Sequence, residues 1–168
     1  MPDPTINPNT GPDADPNTRP GAERPMKRDP RFAARSTHDP AATRAFAVQA
    51  AMCLRDEKCE DLLVLDVSKI SQVTDYIVIG TGSSDRQMRA ALSHLSAYGE
   101  EAGFPAYHRS TDERGTWLLA DFVDVVAHLF EPNARAHYDL EMLWGDAPRV
   151  EVPDGPGPLA SKHRKGAG

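Results

Sequence analysis

The stretch whose reading decides the fold covers residues 117–144, WLLADFVDVVAHLFEPNARAHYDLEMLW. Two apolar runs, ending in Ala120 and Phe130, flank a short segment bounded by Asp121 and Asp124, so the stretch reads as two strands folded into a hairpin. Glu131, Pro132 and Asn133 then break the second strand, and 133–143 reads as a helix. Buried strands need only Val, Leu and Phe. Asp121, Asp124, His128, Arg135, Tyr138, Glu141 and Trp144 exceed that need and are the first candidates for a function.

Upstream, Asp39 and Pro40 announce a helix whose core stripe is expected to be Ala42, Ala45, Phe46, Gln49, Cys53 and Leu54. Segments 62–67, 76–79 and 104–108 read as short strands, and 109–116 as a charged connection. Between the second and third strands lies a long helix, 85–101, with Met88, Leu92 and Leu95 turned to the core and Gly103 as its C-terminal cap. Three helices among five strands, some joined by crossovers and two by a hairpin, give an α/β fold with a mixed five-stranded sheet and flanking helices.

Eight of the 15 prolines fall in the first 30 residues, so 1–36 reads as a disordered N-terminal extension. The folded domain is placed at 37–152, and 153–168 is expected to be a disordered tail with a basic end. No apolar run is long enough to span a bilayer, and Asp3, Asp13 and Asp15 argue against a transit peptide, so a cytoplasmic address is expected. Residues 42–150 hold 17 acids against 10 bases. A domain that acidic suits a basic protein surface better than a phosphate backbone.

The residue types for catalysis are present, but their spacing is not. Cys53 and Cys59 form neither a disulfide framework nor a zinc set, and His94, His108, His128 and His137 lack HxxxH or HExxH spacing. Ser83 and Ser84 follow Gly82 without the G-x-S-x-G order of a nucleophile elbow. Gly80, Gly82, Ser83 and Ser84, between strand and helix, are a candidate anion cradle, although tight strand-to-helix packing explains the same glycines. Asp121 and Asp124 could hold a divalent cation only from the turn, where acids more often serve local hydrogen bonds. No metal and no cofactor is expected. Tyr138, Glu141, Met142 and Trp144 give the last helix the aromatic and acidic surface of an interface.

Three strings in order, DLLVLDVSKISQVTDYIVIGTGSSDRQMRA, WLLADFVDVVAHLF and the pattern of Arg135, Tyr138, Leu140, Glu141, Leu143 and Trp144, resemble the ribosomal silencing factors, once called Iojap-like proteins. The resemblance implies a nucleotidyltransferase-like topology without the catalytic set. It further implies a translational repressor that binds the fourteenth-series protein of the large ribosomal subunit and blocks joining of the small subunit. Trp117, Asp121, Asp124, His128, Arg135, Tyr138, Glu141 and Trp144 match the family's shared surface. Away from the ribosome a homodimer is compatible with this reading, and residues 162–165 could add a weak contact to ribosomal RNA. The alternative is a nucleotidyl- or phosphoryl-transferase using the glycine turn with Asp121 and Asp124. Two departures stand out: Ser110 and Thr111 replace a Glu-Gly pair, and Val123 occupies a turn position where the family commonly has Gly.

Overall fold

The computed structural model describes residues 38–165, with side chains to residue 162. The expected N-terminal extension lies outside the described residues. Helix α1, Pro40–Asp56, starts where the Asp39 carboxylate accepts the Ala42 N–H and Pro40 fills a position that needs no donor. Its buried face is Thr43, Phe46, Ala47, Ala50, Ala51, Cys53 and Leu54. Ala42 and Ala45, expected inside, are exposed. The stripe that buries Phe46 and Leu54 runs instead through Thr43, Ala47, Ala50 and Ala51, three and four residues apart on the same face.

Strand β1, Glu60–Asp66, and β2, Tyr76–Thr81, lead to helix α2, Asp85–Glu101. The α2 core stripe is Met88, Ala91, Leu92, Leu95 and Gly99, and Gly103 ends the helix at φ 86° while Phe104 N–H bonds back to Gly99 O at 2.7 Å. Strand β3 is His108–Thr111, later than expected; Phe104 is instead a core residue stacked on Phe46 at 4.3 Å. The 109–116 connection is therefore half strand and half turn. Strands β4, Trp117–Asp121, and β5, Val125–Phe130, form the expected hairpin.

The expected helix 133–143 is two: α3, Pro132–Tyr138, and α4, Leu140–Leu143. Asp139 breaks it at φ 46°, a left-handed conformation that Asp tolerates, and its carboxylate caps α4 by accepting the Met142 N–H. A sixth strand, β6 at Arg149–Val150, pairs antiparallel with β1 and was too short to leave a periodic signal. The sheet order is β3-β4-β5-β2-β1-β6, with β2 and β5 the parallel pair.

Residues 153–165, expected to be disordered, fold back on α1. The Asp56 carboxylate accepts the N–H groups of Gly157, Leu159 and Ala160 at 2.8, 3.0 and 3.1 Å, and Leu159 is buried. Helix α5, Ala160–Lys165, follows. Pro and Gly keep 153–158 irregular, but they do not prevent an anchor: one carboxylate satisfies three backbone donors. Lys162, expected to face RNA, is paired with Glu101 at 2.6 Å.

Strand alternation splits the core into two layers. One side of the sheet, with Val64, Val78, Leu118, Ala127 and Leu129, packs under α1 and α2. The other, with Leu65, Ile77, Ile79 and Phe130, is roofed by Ala134, Leu140 and Trp144 from the region of α3 and α4.

Candidate functional site

The hairpin register builds the second side from the sequence directly. Trp117 faces Phe130 and Leu119 faces His128, so the larger residues of both strands share one face while Leu118, Ala120, Ala127 and Leu129 take the other. Trp117 then stacks on Phe130 at 5.1 Å and meets Tyr138 of α3 at 4.7 Å. Its indole N–H donates to His128 Nδ1 at 3.1 Å. His128 is 8% exposed, and burial pushes its imidazole down to about 4, so it is neutral and accepts that bond. Among Val and Leu on β5, it is a satisfied core histidine that fixes the Trp117 ring.

Arg135 and Glu141 hold the roof. The Arg135 guanidinium donates to Glu141 Oε1 through Nε at 2.9 Å and Nη2 at 2.7 Å. Its Nη1 reaches the Asp61 carbonyl at 2.6 Å and Thr81 Oγ1 at 2.8 Å. One side chain thereby ties α3, α4 and the ends of β1 and β2 together. Neither α3 nor α4 contains a fully buried residue. What they leave outward is Tyr138 at 45%, Met142 at 79% and Leu143 at 70% exposure.

Asp121 and Asp124 serve the turn. Asp121 Oδ1 accepts the Val123 N–H at 2.7 Å; Asp124 is buried, with its Oδ2 3.5 Å from His38 Nδ1. Val123 keeps the left-handed conformation, at φ 74°, and Asp124 N–H bonds to Phe122 O at 3.0 Å across it, which makes a γ-turn. Val123 is therefore a β-branched residue at a positive φ, where one is strained.

A family model described as "Ribosomal silencing factor during starvation" matches residues 40–167. The chain belongs to the ribosomal silencing factor family. It is 38% identical over 105 residues to the ribosomal silencing factor of Bacillus subtilis, a match spanning 62% of this chain and 88% of the relative. It is 34% identical over 94 residues to the mouse "Mitochondrial assembly of ribosomal large subunit protein 1", covering 54% of this chain and 41% of that protein. A crystal structure of a Chromobacterium violaceum protein superposes with a TM-score of 0.58 at 31% identity, covering 69% of this chain and 96% of that one.

In this chain the glycine turn serves packing. A Cβ on Gly80 would lie 2.6 Å from Leu62, and one on Gly82 would lie 2.1 Å from Met88. The turn's donors are also committed: Gly82 N–H to Phe130 O, Ser83 N–H to Gln87 Oε1 at 2.9 Å, and Gln87 N–H to Ser84 Oγ at 3.1 Å. An anion would have to displace Gln87 to enter. Among the described residues no group of three His, Cys, Asp or Glu side chains is placed to hold a metal ion, and no helix is long and apolar enough to cross a membrane. Burial raises Cys53 to about 12 and Cys59 to about 11, so both stay thiols.

Three contributors were missed in the sequence. Leu143 is apolar and mostly outside, while its neighbours Leu140 and Trp144 pack inward, and nothing in its residue type sets it apart from them. Asp112 accepts from Thr116 N and Oγ1 at 2.7 and 2.6 Å and from Trp117 N at 3.0 Å, which rigidifies the turn into β4 and holds its carboxyl below the usual range. Its signal was an Asp three residues before Gly115, which sits at φ 68°. His38, stacked on Phe104 at 3.9 Å, lay ahead of the first expected helix, where no pattern pointed to it.

Proposed function

We propose that the α3–α4 face docks this chain onto the fourteenth-series protein of the large ribosomal subunit, and that the occupied surface then keeps the small subunit from joining. The observation that carries this reading is the exposure of Tyr138, Met142 and Leu143 on short helices that a buried Trp117–Phe130–His128 cluster and the Arg135–Glu141 clamp hold in place. Exposed aromatic and Met side chains on a preorganised support are the composition of an interface centre, and rigidity lowers the entropy lost on binding. The family's name supports the ribosome as the target, and the mouse relative's name supports the large subunit. The charge of residues 42–150, 17 acids to 10 bases, is complementary to a basic ribosomal protein.

The transferase reading gains nothing from the geometry, because the Asp121 carboxylate is bonded within the turn and Asp124 is buried beside His38. The test is co-sedimentation of purified chain with free large subunits, followed by light scattering as small subunits are added. Stoichiometric binding with delayed subunit joining is expected. Folded chain that stays in the supernatant at low micromolar concentration, or that binds without slowing joining, would sink the proposal.

A further inference from the structure

The domain is acidic almost everywhere, and the exception has a definite place. Of the ten basic side chains in 42–150, four are Arg86, Arg89, Arg109 and Arg114. Arg86 and Arg89 are on α2, Arg109 is on β3, and Arg114 is in the turn between β3 and β4; all four are exposed. The hairpin packs against this stripe of α2. Arg109 Nη1 lies 3.2 Å from Ser93 Oγ, one turn beyond Arg89, while a Cβ on Gly115 would lie 2.7 Å from the Asp85 carboxylate. Three acids share the edge. Asp85 is matched by Arg89 at 2.8 Å, Asp112 is consumed by its turn, and Glu113 is exposed. The other 14 acids of 42–150 face only six bases, and two of those, Arg55 and Arg135, are bonded into the fold.

We propose that this arginine edge, formed by α2 and the β3–β4 hairpin, contacts a nucleic-acid phosphate backbone beside the surface reached by the α3–α4 face. Arg89 is engaged by Asp85, which leaves Arg86, Arg109 and Arg114 to offer phosphate oxygens the planar fork that suits them. Strand β3 is also the last strand of the sheet on that side, so its outer backbone N–H groups are available as further donors to phosphate. The edge is continuous with the docking face, because the hairpin that carries Arg114 runs directly into Trp117, whose N–H is bonded to Asp112. A protein docked through an acidic body onto an RNA-rich particle meets phosphate repulsion, and one positive edge facing that phosphate offsets it. Arginines on an edge strand also discourage strand pairing between molecules, a role that predicts no effect on subunit affinity.

This inference rests on the docking reading, and the experiment separates the two. The full chain and its Arg86→Gln/Arg109→Gln variant are titrated against large subunits at several salt concentrations, and against the isolated fourteenth-series protein. For the variant, the affinity for subunits is expected to fall about tenfold at low salt. The slope of log K against log salt should shrink by about 1 to 2, since each lost phosphate contact removes roughly 0.7–0.9. Affinity for the isolated protein should not change, and Arg86→Lys/Arg109→Lys should recover part of the slope. An unchanged slope on intact subunits overturns the inference, as does an equal loss on the isolated protein, which would mean that the edge touches protein. A wild-type chain that ignores large subunits sinks the docking reading, and this inference with it.

Discussion

On one face of the sheet, two 17-residue helices press Phe46, Leu54, Met88 and Leu95 onto the strands. On the other, helices of 7 and 4 residues supply Ala134, Leu140 and part of Trp144, and leave Tyr138, Met142 and Leu143 outside. The strands alternate equally well toward both sides, so the difference lies in the cover. The thick cover is made by burial and tolerates little change. The thin one is held by a hydrogen-bonded arginine and an aromatic stack, which leaves its outer surface free for a partner. A protein that must stay folded while offering an apolar face gains from this division of labour.

The contrast can be broken most severely from the thick side. Phe46 is 1% exposed and touches Phe104 and Phe122 at 4.3 and 5.2 Å, so Phe46→Ala should cost about 3–5 kcal/mol in urea unfolding. Next comes acid. The folded-state pKa of His128 is depressed to about 4 by burial, below its unfolded value near 6.5, so the unfolded chain binds the extra proton between them. Its contribution is therefore complete above pH 6.5 and is lost as pH falls toward 4, by up to roughly 3 kcal/mol. His128→Gln, which keeps an acceptor for Trp117, should flatten the stability profile across that window; an unaltered profile would assign the acid sensitivity elsewhere.

Smaller effects separate the roof from the sheet. Arg135→Ala strips Glu141, Thr81 and the Asp61 carbonyl of their donor and should cost about 2 kcal/mol, together with subunit binding, because α3 and α4 lose their tie. Chemical-shift changes confined to 131–145 would show that the damage is local. Val123→Gly should act in the opposite direction. Relieving φ 74° in a β-branched residue outweighs the extra chain entropy of glycine, which raises stability by about 1 kcal/mol. A variant less stable than the parent would show that Val123 earns its place through packing.

Much of this architecture was legible because it follows from period and punctuation. The hairpin, both long helices and the Gly103 cap came from alternation, three-four spacing and a glycine after the last turn. Phe104, by contrast, was read as strand because it is apolar, although its place is a tertiary stack on Phe46. The Asp139 break was hidden, since Asp is tolerated inside a helix and becomes a cap only when Leu140 is drawn down to the sheet. The Asp56 anchor joins residues about a hundred positions apart, and no local pattern encodes it. For the candidate site, the surplus of polar and aromatic residues in 117–144 pointed to the face of the sheet that α3 and α4 cover. Which of them form the support was decided only in three dimensions: His128, Arg135 and Glu141 are turned into bonds that a list of residue types does not show.

The central claim is that the thin face is free for docking because Met142 and Leu143, its most exposed apolar side chains, hold nothing together. It is tested most directly by measuring, for Met142→Ser/Leu143→Ser, both the free energy of urea unfolding and the affinity for free large subunits. The account predicts an unfolding free energy within about 1 kcal/mol of the parent and an affinity at least about tenfold weaker. A variant that binds large subunits as tightly as the parent, or that loses binding only because it unfolds, would contradict it.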